Sequence, residues 1–250
     1  MKIHTRPKAV LLILATAVIA HADEPVRSEP VVHAGTKFSV VKLEPKRVQL
    51  VWKDAGGKAF RSFERVQASR AARGETVKFL MNAGIFEPGG VPSGLHIENG
   101  ELLRPLNLAT APGNFFLKPN GVLVLHPDSQ VTLTTSEDWQ RKPHDGALWG
   151  IQAGPMLLMD GRRHPAFLES SENRLHRNGV GLDAQGRLVF AITDKGEETN
   201  LWNFAGLFLK LGCKNALFLD GDISAMAVMP QTPVKSNLFG AMFVVTESDE

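Results

Sequence analysis

Tyrosine is absent from the 250 residues, cysteine occurs once, and neither sign of charge dominates. Each shortage closes off a class of protein. The lone Cys213 has no internal disulfide partner, and no Cys/His cluster with zinc spacing exists, so stability rests on a packed apolar core. With 28 Lys and Arg against 26 Asp and Glu, and the basic residues scattered, nothing predicts a nucleic-acid groove. Without tyrosine, an aromatic binding platform is poorly supplied as well. The nucleophile-elbow pattern G-x-S-x-G, a phosphate-binding Gly-Lys-Ser/Thr loop and the metalloprotease pattern H-E-x-x-H are also missing.

No apolar run reaches the roughly 20 residues of a membrane span. The longest, residues 9–20, follows Lys2, Arg6 and Lys8 and ends at Ala20-His21-Ala22, a small-x-small site. That order predicts a secretory signal peptide over residues 1–22, cleaved after Ala22, and not a retained anchor. Removing it leaves 25 basic against 26 acidic side chains, which turns the net charge from +2 to −1. The mature chain is expected to be periplasmic or secreted, with no stable membrane insertion. In that oxidising setting Cys213 reads as a small buried hydrophobe.

Residues 23–36 carry Pro25, Pro30 and several charges without periodicity, and read as a flexible leader. A single domain is expected over 37–247. Short β-rich runs at 38–43, 48–52 and 77–81 alternate with turn signals. Asn99-Gly100, Asn120-Gly121 and Asp160-Gly161 each lie between apolar runs, the sequence signature of a two-residue hairpin. Gln185-Gly186 predicts a fourth, joining 180–182 to 188–192. Helices are expected at 63–72 and at 201–211, where Leu201, Phe204, Ala205, Phe208 and Leu211 recur on one face. Strands follow at 215–219 and 242–245. The fold class is α+β, with a mixed, largely antiparallel sheet and few helices.

Polar groups concentrate where these strands end. Asn82 follows the run ending at Met81, Gly154-Pro155 interrupts the apolar stretch around 151–159, and Arg177-Asn178 leads into Gly179-Val180-Gly181. Asp194 follows Ile192, and Asp220-Gly221-Asp222-Ile223-Ser224 closes the helix–strand unit. Singly, each reads as a turn. Together, an Asn, an Arg and several carboxylates could converge on one cleft for an anionic, hydroxyl-rich ligand. The dispersed His96, His126, His144, His164 and His176 read as surface or turn residues, no metal is expected, and function is expected to survive chelation.

The ordered set Asn82-Ala83-Gly84-Ile85-Phe86, Gly94, Gly154-Pro155-x-Leu157 with Asp160-Gly161, Arg177-Asn178-Gly179-Val180-Gly181, Leu211-Gly212-Cys213 and Leu219-Asp220-Gly221-x-x-Ser224 resembles the phosphodiester glycosidase family. The likeness is to a bacterial exported subgroup in which Asp-Gly-x-Ile-Ser replaces the glycine-rich Asp-Gly-Gly-Gly-Ser. It implies an α+β fold, a glycan or glycosyl-phosphate substrate, no cofactor, and hydrolysis of a sugar 1-phosphodiester in envelope or exopolysaccharide metabolism. Such a reaction needs a clamp on the phosphate and a carboxylate opposite the forming oxocarbenium ion. Asp220 is the preferred carboxylate, with Asp194 and Asp222 as second choices. Arg177 is the expected clamp, and Asn82, Gly84, Gly154, Asn178 and Ser224 complete the substrate-binding set. The same residues could serve a non-catalytic periplasmic glycan-binding protein. A calcium-stabilised scaffold has only Asp220-x-Asp222 behind it, too few oxygen ligands for that ion.

Overall fold

Turn chemistry and apolar runs organise the chain into antiparallel sheets, seen in a computed structural model that describes residues 24–142, 146–230 and 232–248. The first half runs β1 (Glu29–His33), β2 (Thr36–Leu43), β3 (Gln49–Val51), α1 (Phe63–Ala71), β4 (Glu75–Asn82), β5 (Phe86–Glu87), β6 (Val91–Pro92), β7 (His96–Glu98), β8 (Glu101–Arg104), β9 (Gly121–Leu125) and β10 (Val131–Thr135). The second runs α2 (Ser136–Arg141), β11 (Trp149–Ala153), β12 (Met156–Met159), β13 (Arg162–Arg163), β14 (Asn178–Leu182), β15 (Leu188–Thr193), α3 (Leu201–Lys210), β16 (Asn215–Asp220), β17 (Met226–Val228) and β18 (Met242–Ser248). A seven-stranded sheet has the order β1-β2-β15-β14-β16-β12-β13, a five-stranded sheet β10-β9-β11-β7-β8, and a four-stranded sheet β17-β4-β18-β3.

Each of these sheets turns one face to a shared central core and covers the other with a helix. Val180, Phe190 and Leu217 from the seven-stranded sheet, Leu123 and Trp149 from the five-stranded one, and Phe79 and Phe243 from the four-stranded one all meet at the centre. On the outer faces, Phe204 and Phe208 of α3 pack on Phe38, Val189 and Phe218. Phe63 and Val66 of α1 pack on Leu80 and Val244, and Trp139 of α2 packs against Val122 and Val124. Burial on both faces explains why β9 and β15 are buried throughout their length and read as continuous apolar runs instead of alternating ones. It also explains the glycines of β14. A Cβ on Gly179 falls 3.1 Å from Phe204, and one on Gly181 falls 2.7 Å from both Phe208 and Cys213, so α3 reaches the sheet only where side chains are missing.

The α+β class and both expected helices are present, and Cys213 is buried as expected. Asn99-Gly100 and Asp160-Gly161 close hairpins, each pair with positive φ, and Gln185-Gly186 lies in the β14–β15 turn. Asn120-Gly121 does not form a hairpin. Asn120 is buried and donates to the Phe115 carbonyl, while Gly121 is the first residue of β9, where a Cβ has no space beside Met156. The expected flexible leader is also corrected: β1 pairs with β2 along its whole length, and Val26 is buried in the central core. As an edge strand β1 tolerates Pro30 and exposes most of its side chains, which hides it from periodicity. The proposed signal peptide and its cleavage site lie outside the described residues. No helix among the described residues is long and apolar enough to cross a membrane.

Candidate functional site

The carboxyl ends of β4 and β16 meet the start of β14 where the four- and seven-stranded sheets touch. Asn178 joins them. Its Oδ1 accepts from the Asp220 N–H at 2.8 Å, and its Nδ2 donates to Asn82 Oδ1 at 2.9 Å and to the Asn82 carbonyl at 3.2 Å. Asn82 Oδ1 also accepts from the Ala225 N–H at 3.0 Å, which fixes the orientation of that amide. Its Nδ2 is thereby left buried without a partner. Ser224 Oγ, in the turn after β16, is likewise buried and unpartnered. Buried donors normally find acceptors, so two orphans in one cluster mark a place where a ligand oxygen fits.

Asp220 supplies the acid. The pairing of β14 with β16 shifts between Asn178↔Asp220 and Gly179↔Phe218, a bulge that re-aims the strand end. Asp220 Oδ1 accepts from the Gly221 N–H at 2.8 Å. Burial pushes its carboxyl up to about 6, the Gly221 N–H opposes the shift, and the charge of the exposed Asp222 adds to it. A carboxyl poised near neutrality beside unpaired donors suits acid–base or nucleophilic work.

His176 braces the turn. Its Nδ1 lies 2.7 Å from Thr193 Oγ1 and its Nε2 lies 3.2 Å from the Ser224 carbonyl. The Ser224 carbonyl can only accept, so Nε2–H donates to it, which leaves Nδ1 to accept the Thr193 hydroxyl proton while Thr193 Oγ1 accepts from the Arg177 N–H. The sequence reading set His176 aside with the other histidines. Its signal was its place at the strand entry, immediately before Arg177-Asn178.

Arg177 stands beside Asp220's partner strand, as the sequence suggests, yet its guanidinium turns to the α3 side of the sheet. There it lies over the Phe218 ring, with Nε donating to the Thr199 carbonyl and Nη2 to Asn173. The charge of the exposed Asp222 acts on both Arg177 and Asp220.

Other expected members are placed elsewhere. Asp194 accepts from Ser39 Oγ at 2.7 Å, two strands from Asp220, or roughly 10 Å. Gly84 has φ of +95° and packs on Ala153 and Ile151, while Gly154 packs on Asn120, so protein atoms and not a ligand occupy the space beside each. His96 and His164 are buried, not at the surface: one is edge-on to Trp52, the other stacked on Phe167. His144 lies outside the described residues. A cavity of about 650 Å³ lies between β3 and the β7–β8 hairpin, and its walls include none of Asn82, Asn178 and Asp220.

The model for the phosphodiester glycosidase family matches residues 75–245, a span that contains all three of those residues. The uncharacterized protein YigE of Escherichia coli K12 is 32% identical over 206 residues, covering 82% of this chain and 78% of that protein. Among solved structures, the catalytic domain of zebrafish N-acetylglucosamine-1-phosphodiester alpha-N-acetylglucosaminidase, auto-inhibited by its pro-peptide, superposes with a TM-score of 0.64 at 16% identity. The match covers 91% of this chain and 85% of that one. A hypothetical protein from Synechocystis matches with a TM-score of 0.53, also at 16% identity, over 88% of this chain and 61% of its own. At such identities the structures share the fold.

Proposed function

The chain belongs to the phosphodiester glycosidase family, and on that premise we propose that it is an exported hydrolase that cleaves a sugar 1-phosphodiester of the cell envelope or an exopolysaccharide. The observation that carries this reading is a half-buried carboxyl, Asp220, pushed up to about 6 beside two buried donors without partners, Asn82 Nδ2 and Ser224 Oγ. In the reaction, water adds to the anomeric carbon, the bond from that carbon to the phosphate oxygen breaks, and the phosphomonoester departs. Its oxygen is far less basic than an alkoxide, so it leaves with little protonation. The main demand is therefore a carboxylate at the anomeric carbon, as nucleophile or as base for water. Asp220 fills that role. Asn82 and Ser224 donate to the phosphate oxygens on which charge grows.

The test is incubation with several glycosyl phosphodiesters, assaying freed sugar and phosphomonoester with and without chelator. Ser224→Ala sharpens it. Its hydroxyl bonds nothing in the free protein, so the variant should melt at the wild-type temperature or slightly above, whereas losing a hydrogen bond to a charged oxygen lowers kcat/KM about tenfold to a hundredfold. Tight glycan binding with no product formed would assign the same residues to a binding protein instead.

Export is part of the proposal, supported by the charged start, the 12-residue apolar run and the small-x-small site at residues 20–22. Intact-mass measurement of envelope protein should find a chain starting at Asp23. A species beginning at Met1 and released only by detergent would overturn it.

A further inference from the structure

The seven-stranded sheet curls around α3. Its two outer strands, β1 and β13, both send side chains to the side of the helix that faces away from the sheet, where Gly206 lies opposite Phe204 and Phe208. A Cβ on Gly206 falls 2.6 Å from His33 Nε2 of β1 and 2.8 Å from Arg163 Nη2 of β13, so the two nitrogens converge on one point. In the middle of a helix alanine is more stable than glycine. Glycine at 206 forgoes that stability and lets the two side chains close over the helix, which leaves it buried.

Arg163 is anchored short of its tip. Its Nε donates to the Trp202 carbonyl at 3.1 Å, and its guanidinium lies over the indole, 4.4 Å from the ring centre. Lys210 Nζ donates to the Val32 carbonyl at 2.8 Å, which sets a second cation beside His33. Arg163 Nη2 and His33 Nε2 themselves have no hydrogen-bond acceptor among the described residues, and neither atom is closed to solvent. No ion pair ties His33, Arg163 or Lys210 to a carboxylate among the described residues. Burial, Lys210 and Arg163 all push the His33 pKa down. Donors and positive charge thus meet at the closure of the sheet with nothing negative between them, an arrangement that an anion relieves.

We propose that this clasp binds a phosphate group, free or as a monoester, whose oxygens accept from His33 Nε2 and Arg163 Nη2 and whose charge faces Lys210. A phosphate suits it because several oxygens on one centre reach donors that come from different strands. Bound there, the anion joins the two edges of the seven-stranded sheet across α3. The site is separate from the Asp220 cluster and does not rest on the hydrolase reading.

Titration calorimetry on the full chain tests it with inorganic phosphate, glycerol 3-phosphate and, as a neutral control, glycerol. Gly206→Ala places a methyl group where the two arms converge and drives them apart, and Arg163→Gln removes the charge while keeping a polar tip. Each should weaken inorganic phosphate at least about tenfold. Without phosphate, Gly206→Ala should melt at the wild-type temperature or above, since the atoms it meets are the ends of flexible side chains and alanine favours the helix. Phosphate at a hundred times its Kd should raise the wild-type melting temperature by roughly 5–10 °C and raise that of the variants much less. Equal affinity for inorganic phosphate and glycerol 3-phosphate assigns the site to the free ion, and at least about tenfold tighter binding of the ester assigns it to a monoester; either result supports the clasp. If Gly206→Ala fails to fold, Arg163→Gln and His33→Ala carry the same test. Absence of phosphate binding to the wild type overturns the proposal. So does wild-type affinity in a folded Gly206→Ala or Arg163→Gln, or a rise in melting temperature that is the same in all of them.

Discussion

Asp220→Asn is expected to lower turnover of a glycosyl phosphodiester at least about a hundredfold and, at the same time, to raise the melting temperature at pH 7.5. The loss follows from removing the one group that can attack the anomeric carbon or deprotonate water there. The gain follows from burial. In the fold the carboxyl is pushed up to about 6, whereas in the unfolded chain it titrates near its ordinary 3.8. Between those values the folded state holds the extra proton, so wild-type stability falls as pH rises through this window, and above it the folded protein carries the full penalty of a buried charge. The amide carries no charge, and its Oδ1 can still accept from the Gly221 N–H. The relief is on the order of 2 kcal/mol, or roughly 4–8 °C for a domain of this size, and it should vanish below pH 4. Turnover by the wild type should rise with pH through about 6, since the ionised form acts. Wild-type turnover in the variant would move the catalytic role to Asp222; equal melting temperatures at pH 7.5 would mean that the carboxyl is better solvated than its surroundings indicate.

A gain in stability with a loss of activity is the signature of a site held at a thermodynamic disadvantage. The same pattern recurs around it. Asn82 Nδ2 and Ser224 Oγ, at strand ends beside Asp220, and Arg177 Nη1, on the α3 side of the sheet, are each buried without a partner. The buried amide of Gln152 behaves differently. Gln152, equally buried, accepts from the Leu95 and Asn107 N–H groups and donates to the Asn107 carbonyl and Ser136 Oγ, leaving nothing unsatisfied.

Much of the scaffold was legible because its signals are local. The Asn-Gly and Asp-Gly turns with positive φ, the apolar stripe of α3 and the apolar runs of β15 and β16 each follow from a few adjacent residues. What escaped depends on tertiary context. β1 is held by its neighbour at a sheet edge, and α2 is too short for periodicity, although Thr135 caps it by accepting from the Asp138 N–H. The Gly of Asn120-Gly121 answers to Met156, not to a turn. In the site, the meeting of Asn82, Asn178, Asp220 and Ser224 was readable as an ordered set of motifs. That Arg177 and Asn178 turn to opposite sides of the sheet follows from the alternation of adjacent strand residues, whereas the bracing by His176 depends on contacts distant in sequence.

The link that makes one site of these pieces is Asn178, and Asn178→Asp should expose it. The change is nearly isosteric, but an ionised carboxylate cannot donate, so it faces Asn82 Oδ1 and the Asn82 carbonyl with like partial charges where the amide gave two hydrogen bonds. The position is fully buried, and an unpaired charge there costs about 3 kcal/mol or more. The new carboxyl is therefore pushed upward in the fold, and when protonated it can donate its own O–H to Asn82. Its folded value lies above its unfolded one, so its contribution to stability is complete at low pH and is lost as pH rises through the folded value. The variant should melt close to wild type at pH 4 and at least roughly 6 °C lower at pH 7.5. Ionised, it also adds a negative charge next to Asp220, which disfavours ionisation of that carboxyl and moves the rising limb of the pH–rate profile upward by about one unit. A melting deficit of the same size at both pH values would show that residue 178 is not exchanging a proton with the site. A limb that stays near 6 would show that it does not share an electrostatic environment with Asp220.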